Sequence, residues 1–388
     1  MSFIWKVFFS SYVLSHWSMR HFFDQMRKIP KPVHIIFCTV DHYEPGTGNA
    51  SPKVECERVD LLLREFPRLS DAHLDSSGNR ARRTWFFPPH YHRLGNLKKL
   101  VSLCEKGYGE IELHLHHGKT RPDTAANLEK TIRQCIADYS RFGIFGMENR
   151  SKRFGFIHGD WALNNSSGGR FCGVDDETSV LKRTGCYADF TFPSRGRSNP
   201  LRINSIFYAR SRPGRPKSHR TGKPVRAAGL QEGGLMMIQG PLFPSFNGGG
   251  AASLRIVGDR IGMAPMAIRH VDSWVSAGIH VKGRPNWVFV KTHTHGAVDH
   301  EAVLGPNMNS ILSYLEAEYN DGRNYLLHYA TAREAYNIIR AIEAGEAGDN
   351  PEAYRNYAVA PPVYDSSPDC REVSFELKRL VFSTYPGP

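Results

Sequence analysis

The chain has 388 residues, which is long for one domain but suits one large α/β barrel with additions. Apolar residues make up 40% of it and charged residues 23%, so the composition excludes a disordered or fibrous chain. Its seven cysteines are odd in number and form no CxxC pair, which argues against a disulfide framework or a zinc ribbon. We therefore expect a globular protein of a reducing, cytoplasmic compartment with buried thiols.

Residues 1–30 are predicted to form a helical extension. The first 17 residues are apolar and aromatic, but they lack a small-residue cleavage site and are too short and polar to cross a bilayer. We prefer a helix that packs on the main domain. The alternative is a peripheral contact with the inner membrane. That contact would use the aromatic side chains of the helix: Phe3, Trp5, Phe8, Phe9 and Trp17.

Between residues 31 and 345, short apolar runs alternate with helical patterns. The runs predict strands at 33–41, 84–87, 110–116, 153–158, 186–192, 235–239, 254–257, 287–292 and 325–329. Helical spacing predicts helices at 54–66, 97–105, 124–142, 177–183, 309–319 and 331–344. This alternation favours a mainly parallel sheet, and about seven central strands favour a distorted (β/α) barrel over two doubly wound domains. Residues 346–388 are predicted to be an extension packed on the barrel.

The positive charge of the chain is concentrated in one segment. The net charge is +12, and residues 195–226 hold ten Arg and Lys and no Asp or Glu. This basic segment is rich in Pro and Gly, so we expect a loop. It could be a solvated loop, a nucleic-acid contact or a contact with an anionic substrate. Arg suits phosphate and carboxylate, and few aromatic residues accompany the charges, so we rank the anionic substrate first and expect no nucleic-acid partner.

The strongest chemical signal is the run EIELHLHH at residues 110–117. Alternate side chains of a strand share a face, so Glu112, His114 and His116 would point to one side. The other side, toward the helices, would take the apolar residues of the run: Ile111, Leu113 and Leu115. Two histidines at i and i+2 near a strand end can hold one metal ion, and His117 is an alternative ligand. Hydrogen-bonded residues lining a barrel would give a similar pattern, but three histidines within four residues favour a metal.

Two other strand ends carry candidate residues. The run TVDHYEP ends the first strand and offers Asp41 and His42, and the run KTHTHGA offers His293 and His295. Active sites of α/β barrels gather at the carboxyl ends of the strands, which strengthens pairs that are weak signals alone. The two later histidines could be metal ligands, or a general acid with its orienting neighbour.

Two further runs supply side chains that suit the face and hydroxyl groups of a sugar. The run FIHGDWALNNS offers an indole, an imidazole, a carboxylate and an amide at a strand end: Trp161, His158, Asp160 and Asn164. A packed loop with a core Trp is an equally good interpretation of this run. The run CYADFTFPS adds Asp189, either as a carboxylate that lines the barrel or as a partner that orients a histidine.

In this order, the runs resemble the motifs of the polysaccharide deacetylase superfamily, the NodB-homology or carbohydrate esterase 4-like proteins. TVDH at 39–42 is similar to the first motif, T-[FY]-D-D, with His42 at the ligand position. HLHHG at 114–118 is similar to the second motif, H-[ST]-x-x-H, with Gly at the second histidine. The late motif, L-x-H, falls near His293 and His295, neither of which has Leu two residues before it. The runs HLHH, HGDWALNNS and HTHGA also resemble a divergent deacetylase-like group associated with surface-polysaccharide synthesis.

The resemblance implies a barrel of the glycoside hydrolase/deacetylase type that acts as a metal-dependent amide hydrolase. Asp41 would be the catalytic base, and His295 or His293 would protonate the leaving amine. A divalent metal, with zinc as the first choice, would be held by histidines: His42, His114 and His116 or His117.

We therefore expect removal of an N-acetyl or N-formyl group from an amino sugar during surface-polysaccharide or lipopolysaccharide biosynthesis. The sugar would be anionic, because it is nucleotide-linked, lipid-linked or uronic. Three alternatives stay open. They are hydrolysis of another bond by the same site, a non-catalytic protein that grips an anionic glycan, and a nucleic-acid-binding protein with steeply salt-dependent affinity.

Overall fold

The computed structural model describes residues 3–26, 29–194, 196, 198–246, 254–262, 268 and 270–368. The helices are α1 (Phe3–Met26), α2 (Pro52–Asp71), α3 (Leu94–Glu105), α4 (Ala125–Tyr139), α5 (Glu177–Arg183), α6 (His270–Ser276), α7 (His300–Leu304), α8 (Pro306–Tyr319) and α9 (Ala332–Ala344). The strands are β1 (Val33–His42), β2 (Arg83–Phe87), β3 (Gly109–Leu115), β4 (Gly146–Glu148), β5 (Ser151–His158), β6 (Cys186–Asp189), β7 (Ile206–Ala209), β8 (Lys223–Pro224), β9 (Leu235–Ile238), β10 (Phe243–Phe246), β11 (Leu254–Val257), β12 (Trp287–Thr294) and β13 (Tyr325–Tyr329).

Eleven strands of the described chain form one sheet in the order β12-β1-β2-β3-β5-β6-β9-β7-β8, with β13 also on β1 and β4 also on β5. The pairs from β12 through β9, and the pair of β13 with β1, are parallel. The predicted strand at 254–257 lies elsewhere, because β11 pairs only with β10 in a second, antiparallel sheet. The fold is therefore mixed α/β with a large, mostly parallel sheet, and its closure into a barrel of about seven strands stays a prediction.

The two faces of the parallel strands pack against different helices. Along β1, Ile35 and Phe37 share a hydrophobic cluster with α6 and α8, whereas Ile36 and Cys38 share another with α9. We call the first the outer face and the second the inner face. On β3, the apolar residues pack on the outer face, so the polar residues between them lie on the inner face, as the alternation predicts. The candidate residues lie at or just beyond the carboxyl ends of these strands.

Beyond β12, a loop takes the place of a further strand. The backbone N–H of His293 donates to the carbonyl of Asp259 at 3.0 Å. The buried Nζ of Lys291 donates to two carbonyl oxygens that follow β6, at 2.8 and 3.1 Å, and lies 2.7 Å from the Asp259 carboxylate. These contacts hold β12 near the end of β6 through a buried cation.

The last helix of the described chain, α9, covers the inner face at the end opposite the candidate residues. It begins with a capping box, in which the Thr331 hydroxyl accepts from the Glu334 N–H and the Glu334 carboxylate accepts from the Thr331 N–H. It ends at Gly345, whose φ of 80° is the left-handed conformation common at helix ends. Arg333 joins this helix to β3 through Glu110, at 2.7 Å.

The N-terminal extension is a helix that packs on the second sheet. Phe9 and Val13 are buried in a cluster with Ile256 of β11, and the Trp17 ring lies 6.0 Å from that of Phe243. Residues 3–26 are thus a packed helix, and the bounds of the extension and its membrane contact stay predictions. Phe8 is 51% exposed, and the side chains of Phe3 and Trp5 lie outside the described ones. None of the described helices combines the length and apolar character needed to cross a membrane.

The described part of the C-terminal extension packs on the sheet. Val359 is fully buried, and the Tyr364 hydroxyl accepts from the Ile111 N–H at 2.7 Å. Residues 369–388 lie outside the described residues.

In the basic segment, Glu232 pairs with Arg210 at 2.9 Å and with Lys223 at 3.0 Å, so part of the charge is neutralised from a neighbouring loop. Arg195 and Arg197 lie outside the described residues.

Candidate metal centre and active site

Three parallel strands bring imidazoles and a carboxylate together at the carboxyl edge of the inner face. His42 ends β1, His114 lies near the end of β3, and His293 lies near the end of β12. Strand β12 pairs with β1, and β2 lies between β1 and β3, yet the His42 and His114 rings are only 4.9 Å apart. The residues just beyond these strand ends, Glu44 and His116, enter the same group. We call these five residues, together with His295, the inner-face group.

Glu44 is the point on which two histidines converge. Its Oε1 lies 2.6 Å from Nε2 of His116 and 3.3 Å from Nε2 of His114, and these two nitrogens are 3.0 Å apart. The outer nitrogens are fixed, because Nδ1 of His114 donates to the Ile157 carbonyl at 2.8 Å and Nδ1 of His116 donates to Asp160 at 3.0 Å. Each neutral imidazole then turns a lone pair toward a carboxylate oxygen. Such a convergence of lone pairs requires a proton or a cation at its centre.

The pKa shifts of Glu44 and His116 also indicate that a proton or a cation belongs between them. Burial raises the pKa of Glu44, but hydrogen bonds from His114 and His116 outweigh it and bring that pKa well below its ordinary value. Burial lowers the pKa of His116, but Asp160 and Glu44 outweigh it and raise that pKa to about 9. A proton on His116 therefore satisfies the group when no cation is bound, and a metal ion would compete with that proton.

His42 completes a set of possible ligands. One ligand atom each from His42, Glu44 and His114 lies within 4.8 Å of the others, and all three residues are buried. The His42 ring also lies 4.7 Å from that of His295, whose Nε2 is 3.8 Å from Oε2 of Glu44. Burial, and then the neighbouring histidines, hold the pKa of His42 well below its ordinary value, so its imidazole is neutral and able to ligate. Nitrogen ligands with one carboxylate fit zinc.

His293 forms a pair with a carboxylate on the neighbouring loop. Its Nδ1 donates to Oδ1 of Asp259 at 2.8 Å, and its buried Nε2 has no hydrogen-bond partner among the described residues. Burial raises the pKa of Asp259, but His293 and Lys291 outweigh it and lower that pKa below its ordinary value. A charged Asp259 fixes the tautomer and the ring plane of His293 and leaves Nε2 for proton transfer.

A cavity of ≈ 800 Å³ lies beside the inner-face group. His293 and Asp259 line it, and Trp161 offers an indole 6.3 Å from the His42 ring. Arg255 and Arg260 also line it, and Arg260 is paired with Asp299 at 3.2 Å. The volume is that of a small-ligand site.

Asp41 lies on the opposite side of β1 from His42. Its Oδ2 accepts from the Thr294 hydroxyl at 2.5 Å and from the Gly296 N–H at 2.7 Å, and lies 3.8 Å from the Arg83 guanidinium. Its Oδ1 is buried without a hydrogen-bond partner among the described residues. The structure thus ties Asp41 to the turn that carries His295, and its role as the catalytic base stays a prediction.

His117 and His158 are placed away from the inner-face group. His158 pairs with Leu115 in the β3–β5 register and shares the outer face with it. Nε2 of His117 lies 3.0 Å, and Nε2 of His158 3.4 Å, from Oε1 of Glu177 at the start of α5. Cys172 completes a second buried group of possible ligands with these three residues.

The remaining two candidates have structural contacts. Asn164 is fully buried, and its carbonyl oxygen accepts from the Thr178 N–H at 2.9 Å. Asp189 accepts from the Thr191 hydroxyl at 2.7 Å, and that same hydroxyl accepts from the His158 N–H at 2.9 Å. Burial raises the pKa of Asp189 to about 7. Its described contacts support the strand end that carries His158.

Sequence reasoning did not single out four residues of these groups: Glu44, Asp259, Cys172 and Glu177. Glu44 stands two residues after His42, so a carboxylate at that spacing was a usable signal. Asp259 and Glu177 are distant in sequence from the histidines they contact, and only the tertiary structure brings them together.

No family model matches the chain. No curated protein matches it. Among solved structures, it is similar to a GH57 branching enzyme from the hyperthermophilic archaeon Thermococcus kodakaraensis, in complex with glucose, at a TM-score of 0.36 and 13% identity. That similarity covers 74% of this chain and 69% of that chain.

Proposed function

We propose that the protein is a metal-dependent hydrolase that removes an N-acyl group, acetyl or formyl, from an amino sugar in surface-polysaccharide or lipopolysaccharide biosynthesis. The observation that carries this proposal is the convergence of Glu44, His114 and His116 beside His42, with their outer nitrogens held by other groups. The closure of the parallel sheet into a deacetylase-type barrel belongs to the same proposal.

His42, His114 and Glu44 would hold the divalent cation, with His116 as a further ligand. When bound, the cation supplies a Lewis acid for the acyl carbonyl and lowers the pKa of water, and zinc suits the nitrogen-rich donor set. Hydrogen bonds to the Ile157 carbonyl and to Asp160 fix the orientation of the His114 and His116 imidazoles as ligands.

Two proton transfers fall to side chains near the cavity. The attacking water gives a proton to a carboxylate, and the two candidates are Glu44, within the inner-face group, and Asp41, behind the end of β1. The departing sugar nitrogen takes a proton from His293, whose Nε2 is left available by the bond of Nδ1 to Asp259. His295 is the alternative donor.

The cavity also carries the features that a charged sugar requires. Trp161 gives a flat apolar surface, and Arg255 would favour the phosphate or carboxylate of a nucleotide-linked, lipid-linked or uronic sugar. The basic segment adds to the positive potential of the molecule.

The test combines metal content with product release. Zinc-loaded wild type and the His42→Ala, His114→Ala double variant are compared by elemental analysis and by release of acetate or formate from N-acyl amino sugars with and without a nucleotide. We expect the double variant to lose about one metal ion per chain and all turnover. His280→Ala, a histidine outside both groups, is the matched control and keeps both.

Metal content that is the same in wild type and double variant would contradict the proposal. A non-catalytic protein that binds an anionic glycan would then explain the cavity better.

A further inference from the structure

A second group of metal-ligand types lies on the outer face of the sheet. It consists of His117, His158, Cys172 and Glu177, which we call the outer-face group. One ligand atom from each lies within 4.8 Å of all the others, and every residue is buried. His117 follows β3, His158 ends β5, Cys172 lies in the loop beyond, and Glu177 begins α5. The fold thus collects four donors from distant positions at one point.

Each of the four ligand side chains also makes a hydrogen bond to a group outside the cluster. Nδ1 of His117 donates to Asp123 at 2.9 Å, and Nδ1 of His158 donates to the Gly159 carbonyl. The Sγ of Cys172 accepts from the Asn165 and Val174 N–H groups at 3.3 and 3.4 Å. Oε2 of Glu177 accepts from the Asn164 N–H at 2.8 Å. Hydrogen bonds of this kind around ligands fix their orientation.

Hydrogen bonds within the group do not satisfy all of its atoms. When His117 is protonated, its Nδ1 donates to Asp123 and its Nε2 donates to Glu177. Nε2 of His158, however, is buried and has no hydrogen-bond partner among the described residues. That nitrogen points at Oε1 of Glu177 from 3.4 Å. An orphaned, buried acceptor beside a carboxylate is costly unless a cation lies between them.

The third cluster of ligand types in the described chain lacks this feature. It joins Asp75, His328 and Glu352, and the Arg355 guanidinium lies 3.4 Å from Asp75 and 2.6 Å from Glu352. An internal cation therefore already neutralises those carboxylates. Among the described residues, the ion pairs of Glu177 are with His117 and His158, and no Lys or Arg takes part in them.

We propose that the outer-face group binds a second divalent cation, zinc, as a structural site separate from the inner-face group. Two nitrogens, one sulfur and one carboxylate oxygen form the four-coordinate set that zinc prefers, and a set of four protein ligands leaves no position for a substrate. The site is distinct from the inner-face group because His158 and the inner-face His114 lie on opposite faces of the sheet.

This zinc would anchor the loop whose residues line part of the cavity. The loop runs from β5 to α5 and carries Asp160, which holds His116, and Trp161, which lines the cavity. Cys172 and Glu177 lie at its far end, and His158 at its near end. A metal bond across the loop would therefore hold both of its ends at the strand edge, and through them Asp160 and Trp161.

Cobalt substitution separates the two sites, because only the outer-face group contains sulfur. We expect full-length protein loaded with Co²⁺ to bind about two ions per chain and to show a thiolate-to-cobalt charge-transfer band. The band should disappear in Cys172→Ser and persist in the His42→Ala, His114→Ala double variant. Cys186→Ser, which changes another buried thiol of the outer face, is the matched control and should keep the band.

Loss of the zinc should also loosen the structure. Cys172→Ser, compared with wild type by circular dichroism and by melting in zinc, should keep its secondary structure and melt roughly 10 °C lower. If this variant does not fold, the wild-type cobalt spectrum alone decides. A wild-type spectrum without the band, or a band that persists in Cys172→Ser, would overturn the proposal. Neither result bears on the inner-face metal site. That site is tested separately by the metal content of the His42→Ala, His114→Ala double variant.

Discussion

At the scale of single residues, Glu44 and Asp41 are two buried carboxylates that serve different sides of β1. Glu44 contacts the inner-face histidines, and Asp41 supports the turn after β12. Because the two carboxylates contact different groups, their roles can be tested separately. Replacing each by a carboxamide keeps the size of the side chain and removes its charge.

Glu44→Gln should lower metal affinity at least 10-fold, since it removes the anionic ligand and a donor–acceptor match with His116. Asp41→Asn should keep the metal and the fold and abolish turnover, as expected for the base that the family resemblance implies. Isothermal titration with zinc and hydrolysis rates measure the two effects. Retained turnover in Asp41→Asn would leave the residue a positioning role through the turn that holds His295.

His293 and Asp259 allow a second prediction at this scale. His293→Ala should lower kcat for a sugar amide by about 100-fold, because the leaving amine then departs without a proton. An acyl anilide with a strongly electron-withdrawing ring, whose leaving amine needs little protonation, should be hydrolysed nearly as fast as by wild type. Asp259→Asn should act in the same direction but less, as a positioning residue does. If His295→Ala rather than His293→Ala shows this substrate dependence, the two histidines exchange roles.

At the scale of elements, α2 and α8 are joined by a buried histidine. Nδ1 of His73, which follows the C-cap of α2, lies 3.1 Å from both oxygens of Glu316 on α8, and its Nε2 lies 3.1 Å from the Asn309 amide oxygen. The hydrogen bond to Glu316, against the opposing effect of burial, raises the pKa of His73 above its ordinary value.

This contact predicts a pH dependence of stability. The folded protein holds the His73 proton more tightly than the unfolded chain, so the ion pair contributes fully below the unfolded pKa of about 6.5 and is lost as pH rises through the folded value. Urea unfolding of wild type and His73→Gln at a series of pH values should show a difference in unfolding free energy that shrinks above neutrality. Glu316→Gln should reproduce the loss; a difference independent of pH would contradict it.

At the scale of the whole molecule, Glu110 and Arg333 connect the sheet, α9 and the C-terminal extension. The Arg333 guanidinium lies 2.7 Å from Glu110 on β3 and also donates to the carbonyls of Arg355 and Val359. All of these groups are buried. A buried charge pair is costly to break on one side, because the other charge keeps its burial without its partner.

Arg333→Met should therefore lower the free energy of unfolding by about 3–5 kcal/mol. Adding Glu110→Gln should recover part of this loss, since no uncompensated carboxylate then remains. Urea unfolding of the two variants and wild type measures both values. An equal or larger loss in the double variant would show that the ion pair itself, rather than the orphaned carboxylate, determines the effect.

Local pattern was sufficient for most of the elements. The helix predicted at 177–183 has those bounds, and the strand predicted at 325–329 is β13. Alternation along β3 also assigned its polar residues to one face correctly, because a side chain's face depends only on its position in the strand. Pattern could not tell that the strand at 254–257 leaves the main sheet, since pairing partners are decided by contacts distant in sequence.

The sequence by itself therefore determined the elements, the mostly parallel sheet and the strand ends at which histidines gather. It did so because burial periodicity and turn residues are local properties. Only the tertiary structure decided that the histidines form two groups on opposite faces, with Glu44 in one and Cys172 and Glu177 in the other. The reason is that His116 and His117 are neighbours in sequence but leave the end of β3 in different directions, each toward a carboxylate that a distant segment supplies.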